Sequence, residues 1–410
     1  MTTRPIELDQ EFYEDPHALY RRLAAEGPAR PVRTPDGRRG WLVTSYDDGR
    51  ALLNDPRLSK DIWKLREAYP PSEVGALAAS LNENMLFSDP PDHTRLRRLV
   101  NRVFTGRAVE RLRPRIERAT DDLLDALSVE ALSGGGVVDL VEGFALPLPI
   151  TVICELLGVP AADRDDFRDW TLQFVTVSAP ERIADANRRM SEYFADLISK
   201  KTARPGEDLL SELARTPDEE GGLSPRELLS MAQILLIAGF ETTVNLIANG
   251  VLALVRNPDQ LALLRSDPSL LPDAVEEFLR YDGPLSVATQ RVTTKPVRVG
   301  DVEIPAGQVV LISLLAANRD GDRFTDPDRF NITRHSGGHI AFGHGIHHCV
   351  GAPLARLEGQ IAIGRLLSRF SELALDGDPA TLRWRASSLM HGLYSLPLRV
   401  TVASSAGMRA

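Results

Sequence analysis

The sequence predicts one large domain that is mainly α-helical and carries a smaller β-region, an α+β fold. Helical periodicity dominates from about residue 92 to 280. Short runs of β-branched residues, punctuated by glycine, begin after residue 283. No internal repeat, low-complexity tract or proline- and serine-rich linker divides the sequence. We therefore expect a single domain over residues 1–410, with β-rich parts at about 30–60, 285–315 and 380–402.

Local patterns predict the individual elements. A first strand is predicted over 41–44, and a hairpin of 297–299 and 302–304 turns at Gly300 and Asp301. Further strands are predicted over 308–315, 381–385 and 396–402. Helices are predicted over 47–53, 94–104, 108–132, 149–157, 162–174, 182–201 and 209–213, with another amphipathic helix after residue 351.

The longest predicted helix begins at a capping box formed by Ser224 and Glu227, with Pro225 in its first position, and ends at Asn257. Its apolar run is long enough to cross a bilayer. Polar residues lie near the middle of that run, and Glu241 among them would be costly in lipid. We therefore expect this helix to run through the core of a soluble protein that does not bind a membrane.

Composition narrows the class of protein further. The formal net charge of −9 does not favour binding to nucleic acid or to an anionic membrane. The two cysteines, Cys154 and Cys349, argue against a disulfide framework and for a reducing compartment. The N-terminus is polar and acidic, without the pattern of a secretory signal. We expect a cytoplasmic monomer in which Cys154, within an apolar run, is a core residue.

The loop 342–351, FGHGIHHCVG, is the most informative segment. Its glycines allow the backbone to approach a flat or bulky group, and the helix that follows directs its positive end at Cys349, which favours a thiolate. A thiolate in such a loop suits haem iron. A zinc site stays open as an alternative, because five of the eight histidines lie at 335–348, although the paired ligand spacing of structural zinc is missing. A buried, inert thiol is the third possibility.

With this loop the chain resembles the cytochrome P450 monooxygenases. The family's haem-binding spacing is matched by Phe342, Gly345, Cys349 and Gly351. Three further family motifs are matched in the expected order, AGFETT at 238–243, ExxR at 277–280 and PxRF at 327–330. The resemblance covers nearly the whole chain and extends to the soluble bacterial members that tailor macrolides and other polyketides. It implies the P450 fold and haem b as the cofactor.

The resemblance also implies roles for individual residues. Cys349 would be the axial iron ligand. Glu241 and Thr242 would pass protons to dioxygen at a point where, together with Gly239, they open the helix locally. The haem would further be held by His93, Arg97, Arg291, Phe342, Gly343, His347 and Gly351. A buried triad of Glu277, Arg280 and Arg329 would hold the cysteine loop.

The implied substrate is a hydrophobic small molecule, contacted by Phe87, Ile237, Ala238, Val287 and Leu389 within segments 84–88, 172–177, 237–238, 285–289 and 388–389. The expected reaction is hydroxylation or epoxidation with O2. No flavin or nicotinamide fingerprint is present in the sequence, so we expect a ferredoxin and its reductase to deliver the electrons. The eight arginines at 95–115 are either a solvated helix face or a docking patch for that acidic donor.

Several alternatives remain at this level. Within the family, a steroid, terpenoid or fatty acid could replace the macrolide as substrate. From other classes of protein, a haem carrier or sensor without turnover and a zinc-binding protein are the rival interpretations.

Overall fold

The computed structural model describes residues 4–35, 37–68, 84–175, 180–215 and 222–403. In this part of the chain the helices are α1 Glu11–Glu14, α2 Pro16–Glu26, α3 Tyr46–Leu53, α4 Ile62–Ala68, α5 Asp92–Val103, α6 Gly106–Glu110, α7 Arg113–Ser133, α8 Pro147–Leu157, α9 Arg164–Val175, α10 Pro180–Ala203, α11 Leu209–Ala214, α12 Pro225–Arg256, α13 Pro258–Ser266, α14 Leu271–Asp282, α15 Leu314–Ala317 and α16 Ala352–Arg369.

The strands are β1 Ile6–Glu7, β2 Ala29–Arg33, β3 Arg39–Val43, β4 Leu58–Ser59, β5 Val137–Asp139, β6 Arg291–Thr293, β7 Val297–Val299, β8 Val302–Ile304, β9 Val309–Ile312, β10 Phe370–Leu375 and β11 Pro397–Val402. One sheet has the order β1-β2-β3-β9-β6-β4, a second has the order β10-β11-β5, and β7 and β8 form the predicted hairpin. The fold is therefore mainly α with a smaller β-region, as the sequence predicted.

Helix α12 is the centre of the molecule. It begins at the predicted capping box, in which Ser224 and Glu227 bond each other's backbone N–H groups. Helices α8, α10, α14 and α16 pack around it, and it contributes to the main hydrophobic core along most of its length. By length and composition α12 could cross a membrane, but 83% of its most apolar window is buried inside the protein. It is a core helix, which confirms the sequence prediction.

The largest sheet brings together strands from distant parts of the chain. In the register, Trp41 of β3 and Arg291 of β6 both lie opposite Val310 of β9. The sheet thereby fixes Arg291, one of the predicted haem contacts, on a strand that is buried at all three of its residues.

Three predicted elements differ from the structure. The helix expected over 108–132 is two helices, α6 and α7, because Pro114 tolerates only the first turn of a helix and lies in the first turn of α7. The strand expected over 308–315 ends at Ile312, because the side chain of Ser313 accepts the N–H of Ala316 and caps α15. The segment 381–385 contributes an isolated bridge at Trp384, and β10 was not predicted. The predicted domain limits of 1 and 410 lie outside the described residues.

Candidate active site

Backbone hydrogen bonds and glycines shape the loop that precedes α16. The N–H of Cys349 donates to the carbonyl of Phe342 at 2.9 Å, which closes the loop on itself. Gly343 and Gly345 have φ values of 73° and 74°, a region that strains other residues. A Cβ on Gly345 would also meet Oδ1 of Asn54 at 2.3 Å. The loop therefore holds one shape, with Cys349 at its end.

The thiol of Cys349 combines accessibility with desolvation. The residue is exposed, and yet desolvation by the surrounding protein raises the pKa of its thiol. The N–H groups of Gly351 and Ala352 at the start of α16, and the charge of Arg97, act in the opposite direction. The sulfur is thus accessible, although the protein around it disfavours its charged form. A metal cation at the sulfur would supply the charge that ionises it, so the site fits a metal-bound thiolate.

Two predicted haem residues, His93 and His347, lie against each other with their ring planes tilted by 55°. Their ring centroids are 4.2 Å apart. His93 is 2% exposed, and within the described part of the chain neither of its ring nitrogens has a hydrogen-bond partner. Burial lowers the pKa of His93 to about 4, with Arg97 and Lys60 adding to the effect. A buried imidazole without partners is costly, which indicates a polar ligand at this point.

Two buried basic side chains lie close enough to His347 to lower its pKa. Lys60 and Arg291 are 1% and 3% exposed, and both donate to Thr289, Nζ to its hydroxyl at 2.6 Å and Nη1 to its carbonyl at 2.9 Å. Burial lowers the pKa of Arg291 to about 10 and that of Lys60 well below its usual value, while Asp89 raises both in part. This cluster fits an anionic ligand such as the two propionates of haem. Lys60 was not predicted from the sequence, since no local pattern marks it.

A fully buried ion pair anchors the segment that leads into the cysteine loop. Glu277 and Arg280 are both 0% exposed and share two bonds, of 2.7 and 2.8 Å. Nη1 of Arg280 also donates to the carbonyls of Asn318 and Pro327, each at 2.9 Å. Removing one partner of such a pair costs about 3–5 kcal/mol. The pair therefore ties residues 318–327 firmly to α14.

The prediction that Arg329 is the third member of the triad is wrong. Its side chain is exposed, and its backbone carbonyl is the group that approaches Arg280, at 3.5 Å. Arg334 takes the position instead, with Nε 3.4 Å from Oε1 of Glu277. The chain folds back over five residues, so that Nη2 of Arg334 donates to the carbonyl of Arg329 at 3.1 Å. This return is not visible in the sequence, and the PxRF motif therefore indicated the wrong arginine.

Glu276, which the sequence did not indicate, joins the two sides of the cysteine loop. It accepts bonds from Arg356 of α16 at 2.6 and 2.9 Å, and lies 3.1 Å from Nε2 of His339. Burial acts to raise the pKa of Glu276, but the bonds from Arg356 and His339 outweigh it and lower that pKa to about 2. Glu276 therefore clamps the loop as a carboxylate.

Helix α12 has an accessible patch at Ala238 and Thr242. Ala238 is exposed and Thr242 half-buried, although neighbouring Ile237 is buried. The hydroxyl of Thr242 donates to the carbonyl of Ala238 at 2.7 Å. The local opening expected at Gly239 does not interrupt the helix, which is continuous over Pro225–Arg256. Instead, a Cβ on Gly239 would lie 2.9 Å from Cδ1 of Ile153, so glycine here permits close packing of α8.

Glu241 is buried and paired with a residue that the sequence did not indicate. Its Oε1 accepts Nη1 of Arg385 at 2.6 Å, and both side chains are nearly inaccessible. Its Oε2 has no partner among the described residues. Burial raises the pKa of Glu241, and the charge of Arg385 offsets part of that rise. The carboxyl group therefore has one free oxygen and does not itself reach the outer surface.

The predicted substrate residues come together in part. Leu389 packs against the cluster that contains Val287 and also against the main core that contains Ile237 and, partly buried, Phe87. Ala238 contributes the accessible patch of α12. The segment 172–177 lies mostly outside the described side chains. These residues stay predicted substrate contacts.

Together, the fold and the site fit a haem protein in which a cysteine thiolate would ligate the iron. An accessible thiol, an unpartnered imidazole and buried basic side chains lie in one neighbourhood, in which Arg97 acts on both Cys349 and His93. A family model described as Cytochrome P450 matches residues 150–393. The chain belongs to the cytochrome P450 family of haem b monooxygenases.

Three relatives agree with this assignment over nearly their whole length. Cytochrome P450 monooxygenase PikC of Streptomyces venezuelae is 53% identical over 403 residues, covering 98% of this chain and 95% of the relative. Vitamin D(3) 25-hydroxylase of Pseudonocardia autotrophica is 48% identical, covering 94% of each. The 6-deoxyerythronolide B hydroxylase of Saccharopolyspora erythraea is 45% identical, covering 98% of this chain and 100% of the relative.

A solved structure shows the same fold. The tirandamycin C-bound P450 monooxygenase TamI superposes with a TM-score of 0.89 at 48% identity, covering 97% of this chain and 100% of that chain. Membership in the family removes the zinc-binding interpretation of the loop histidines. Among the described residues, the group with suitable ligand spacing for a metal is His17, Asp282 and His391, which lies outside the cysteine loop.

Proposed function

We propose that this protein is a cytoplasmic monooxygenase that hydroxylates or epoxidises a macrolide or related polyketide, with electrons from a ferredoxin and its reductase. The assignment of a haem thiolate rests on Cys349, whose thiol is accessible although the surrounding protein desolvates it. The 6-deoxyerythronolide B hydroxylase supports the substrate class, because its name gives a macrolactone as the substrate.

Haem bound at Cys349 would supply the oxygen activation. His93, Arg97, Arg291 and His347 are the residues that we expect to hold its propionates. We add Lys60 to this set, because its ammonium group is buried beside Arg291 with Asp89 as the acidic group acting on both. Phe342, Gly343 and Gly351 would shape the loop against the haem plane.

The role proposed for Thr242 follows from its hydrogen bond. Because its hydroxyl hydrogen is engaged by the carbonyl of Ala238, its oxygen is left to accept a bond from water. A water held in this way has a second hydrogen to give to dioxygen. Glu241 would replace the proton that the water loses, through the oxygen that has no protein partner.

A steroid-like compound is the second candidate substrate. The relative named for vitamin D(3) hydroxylation is 48% identical to this chain, and the relative named for a macrolactone is 45% identical. Overall identity therefore does not separate the two classes. The apolar character of Ile237, Val287 and Leu389 suits either one.

A binding and turnover experiment tests this function. Purified holoenzyme is titrated with a panel of macrolactones and steroids, and the shift of the haem absorption band measures binding. The best ligand is then incubated with ferredoxin, reductase, reduced nicotinamide cofactor and isotopically labelled O2. We expect the largest shift from a macrolactone and one labelled oxygen atom in the product. A product without labelled oxygen would contradict the monooxygenase function, and preference for a steroid would replace the substrate class.

A further inference from the structure

Glu241, Asn245 and Asn249 form a polar seam on one face of α12. They are spaced by four residues, so their side chains follow one another along the helix, about 5–6 Å apart. Each is at most 1% exposed, within a helix that is otherwise mostly apolar. Buried amide and carboxyl groups in such a helix are costly unless they are satisfied. The polar groups of the seam therefore need hydrogen-bond partners.

The inner half of the seam lies against residues 385–393. Arg385 binds one carboxylate oxygen of Glu241 at 2.6 Å. Gly392 lies directly against Asn245, since a Cβ there would come within 2.0 Å of the Asn245 Oδ1. The missing side chain at Gly392 is thus what admits the amide of Asn245 between the helix and this segment.

The outer half of the seam is tied to backbone carbonyls. Nδ2 of Asn249 donates to the carbonyl of Asp282 at 3.1 Å and to that of His391 at 3.0 Å. These bonds fix Asn249 at the junction of α12, the end of α14 and the segment 385–393. The seam therefore ends at Asp282 and His391.

Four polar atoms of the seam have no hydrogen-bond partner among the described residues. They are Oε2 of Glu241, Oδ1 and Nδ2 of Asn245, and Oδ1 of Asn249. Buried polar atoms that lack a protein partner are satisfied by ordered water in native proteins. Waters bridging these atoms would form one continuous hydrogen-bonded line along α12.

Beyond Asn249 the seam reaches a cluster of ionisable side chains. Oδ1 of Asp282 lies 2.9 Å from Nε2 of His17 and 3.0 Å from Nε2 of His391. His391 is 3% exposed, whereas His17 and Asp282 are 15% exposed. His17 also lines a surface cleft of about 530 Å³, together with Arg319 and Asp328. The cluster of His17, Asp282 and His391 thus spans the distance from the seam to the surface.

We propose that water along the seam carries protons from the cluster of His17, Asp282 and His391 to Glu241, with Asn245 as the positioning residue at its centre. The proposal rests on the function proposed above for Glu241. Each hydroxylation follows O2 + RH + 2 e⁻ + 2 H⁺ → ROH + H2O. One oxygen atom enters the new C–O bond and the other leaves as water, so both protons must come from solvent while the donor supplies both electrons.

Asn245→Leu is the most direct test, with the best-binding macrolactone as probe substrate. The change removes two unpartnered atoms, fills similar volume and breaks no protein hydrogen bond that the structure describes. We expect ferredoxin-supported product formation to fall about tenfold and its solvent isotope effect in D2O to rise. Peroxide-driven turnover should be unchanged, because H2O2 + RH → ROH + H2O needs no proton from solvent. Donor-supported formation of the carbon monoxide complex, which needs an electron but no proton, should also be unchanged.

Two further variants control for structural damage. Asn245→Ser keeps a hydroxyl and room for water, and should restore most of the product rate. Gln233→Met removes another buried amide from α12, one that bonds Ser191 away from the seam, and should change nothing. Normal ferredoxin-supported turnover in Asn245→Leu would overturn the proposal, whether or not the melting temperature rises. The proposal would also be overturned if peroxide-driven turnover fell as much as ferredoxin-supported turnover. If the wild-type enzyme makes no product by either route, the proposed function fails first and this proposal fails with it.

Discussion

Thr242 and Thr243 differ in where their hydroxyl groups lie. Both donate to the carbonyl four residues earlier, but Thr243 is buried at 3% exposure while Thr242 borders the accessible patch at Ala238. Thr242→Ala should therefore remove the proposed water site without disturbing the core. We expect reduced nicotinamide cofactor to be consumed at a near-normal rate, product per electron pair to fall about tenfold, and hydrogen peroxide to appear in its place.

Thr243→Ala is the matched control for that prediction. Its hydroxyl is also bonded within the helix, but the residue is buried, so coupling should stay near the wild-type level. Quantifying product and peroxide in the same reaction gives the comparison. If Thr242→Ala remains fully coupled, Thr242 is a packing residue and the proton route runs elsewhere.

At the residue scale, the sequence indicated the residues that lie within a recognisable local pattern. Cys349 is marked by the spacing of the glycines around it in the loop 342–351. Cys154 lies in an apolar run and is buried as expected, and burial raises the pKa of its thiol to about 12. Lys60 and Arg385 were missed, because a basic residue becomes informative only through its tertiary neighbours. Lys60 meets Thr289 across 229 residues of chain, and Arg385 meets Glu241 across 144.

At the scale of elements, the clamp between α14 and the cysteine loop is sensitive to pH. The folded-state pKa of Glu276 is about 2, below its usual value of 4.5. The carboxylate therefore contributes stability that is fully present above about pH 4.5 and is lost as the pH falls through about 2. The shift corresponds to at most ~3 kcal/mol.

Glu276→Gln should accordingly lower the free energy of unfolding at neutral pH by up to ~3 kcal/mol. The difference from the wild type should shrink as the pH falls below about 4.5, since the wild-type carboxylate is then being protonated. Urea unfolding of the holoenzyme across this range measures both effects, with the exposed Glu303 as the control position for the same substitution. A difference that is independent of pH would mean that the charge of Glu276 is not what clamps the loop.

The corrected triad makes a second prediction at this scale. Arg334→Met removes the Nε contact to Glu277 and a bond to the carbonyl of Asp326, and should lower the free energy of unfolding by roughly 3 kcal/mol. Arg329→Met alters an exposed side chain and should stay within about 0.5 kcal/mol of the wild type. Equal effects of the two changes would contradict the assignment of Arg334.

Element boundaries were predictable where a cap or a proline marks them. Helix α12 is capped by Ser224 and begins at Pro225 as predicted, because the capping box is a local signal. The end of β9 was missed, although Ser313 is itself a capping residue, because the apolar run continues through Leu314 and Leu315. The pairing of β3 with β9 joins residues far apart in the chain, and no local pattern contains that information.

At the scale of the whole molecule, some of the arginines at 95–115 interact with other parts of the protein and others are exposed on its surface. The charge of Arg97 lowers the pKa of Cys349, and Arg95 donates to the carbonyl of Gly222. Arg102 and Arg107 are exposed on α5 and α6. An acidic ferredoxin would be attracted by the exposed members alone.

Reversing the charge at Arg102 and Arg107 should therefore slow ferredoxin-supported turnover several-fold, with the largest effect at low ionic strength. Peroxide-driven turnover should be spared, because it needs no donor. The same reversal at Arg298, which is exposed on the hairpin strand β7, provides the control. Equal loss by both routes would assign these arginines to folding or haem retention.

The proposed ligation of the haem iron by the Cys349 thiolate can be tested directly by one measurement. The reduced carbon monoxide difference spectrum of the purified holoenzyme should show the red-shifted band of thiolate-bound haem. Cys349→Ser or Cys349→His should abolish that band even where haem is retained, while Cys154→Ala should leave it unchanged. Persistence of the red-shifted band without the Cys349 thiol would contradict the account.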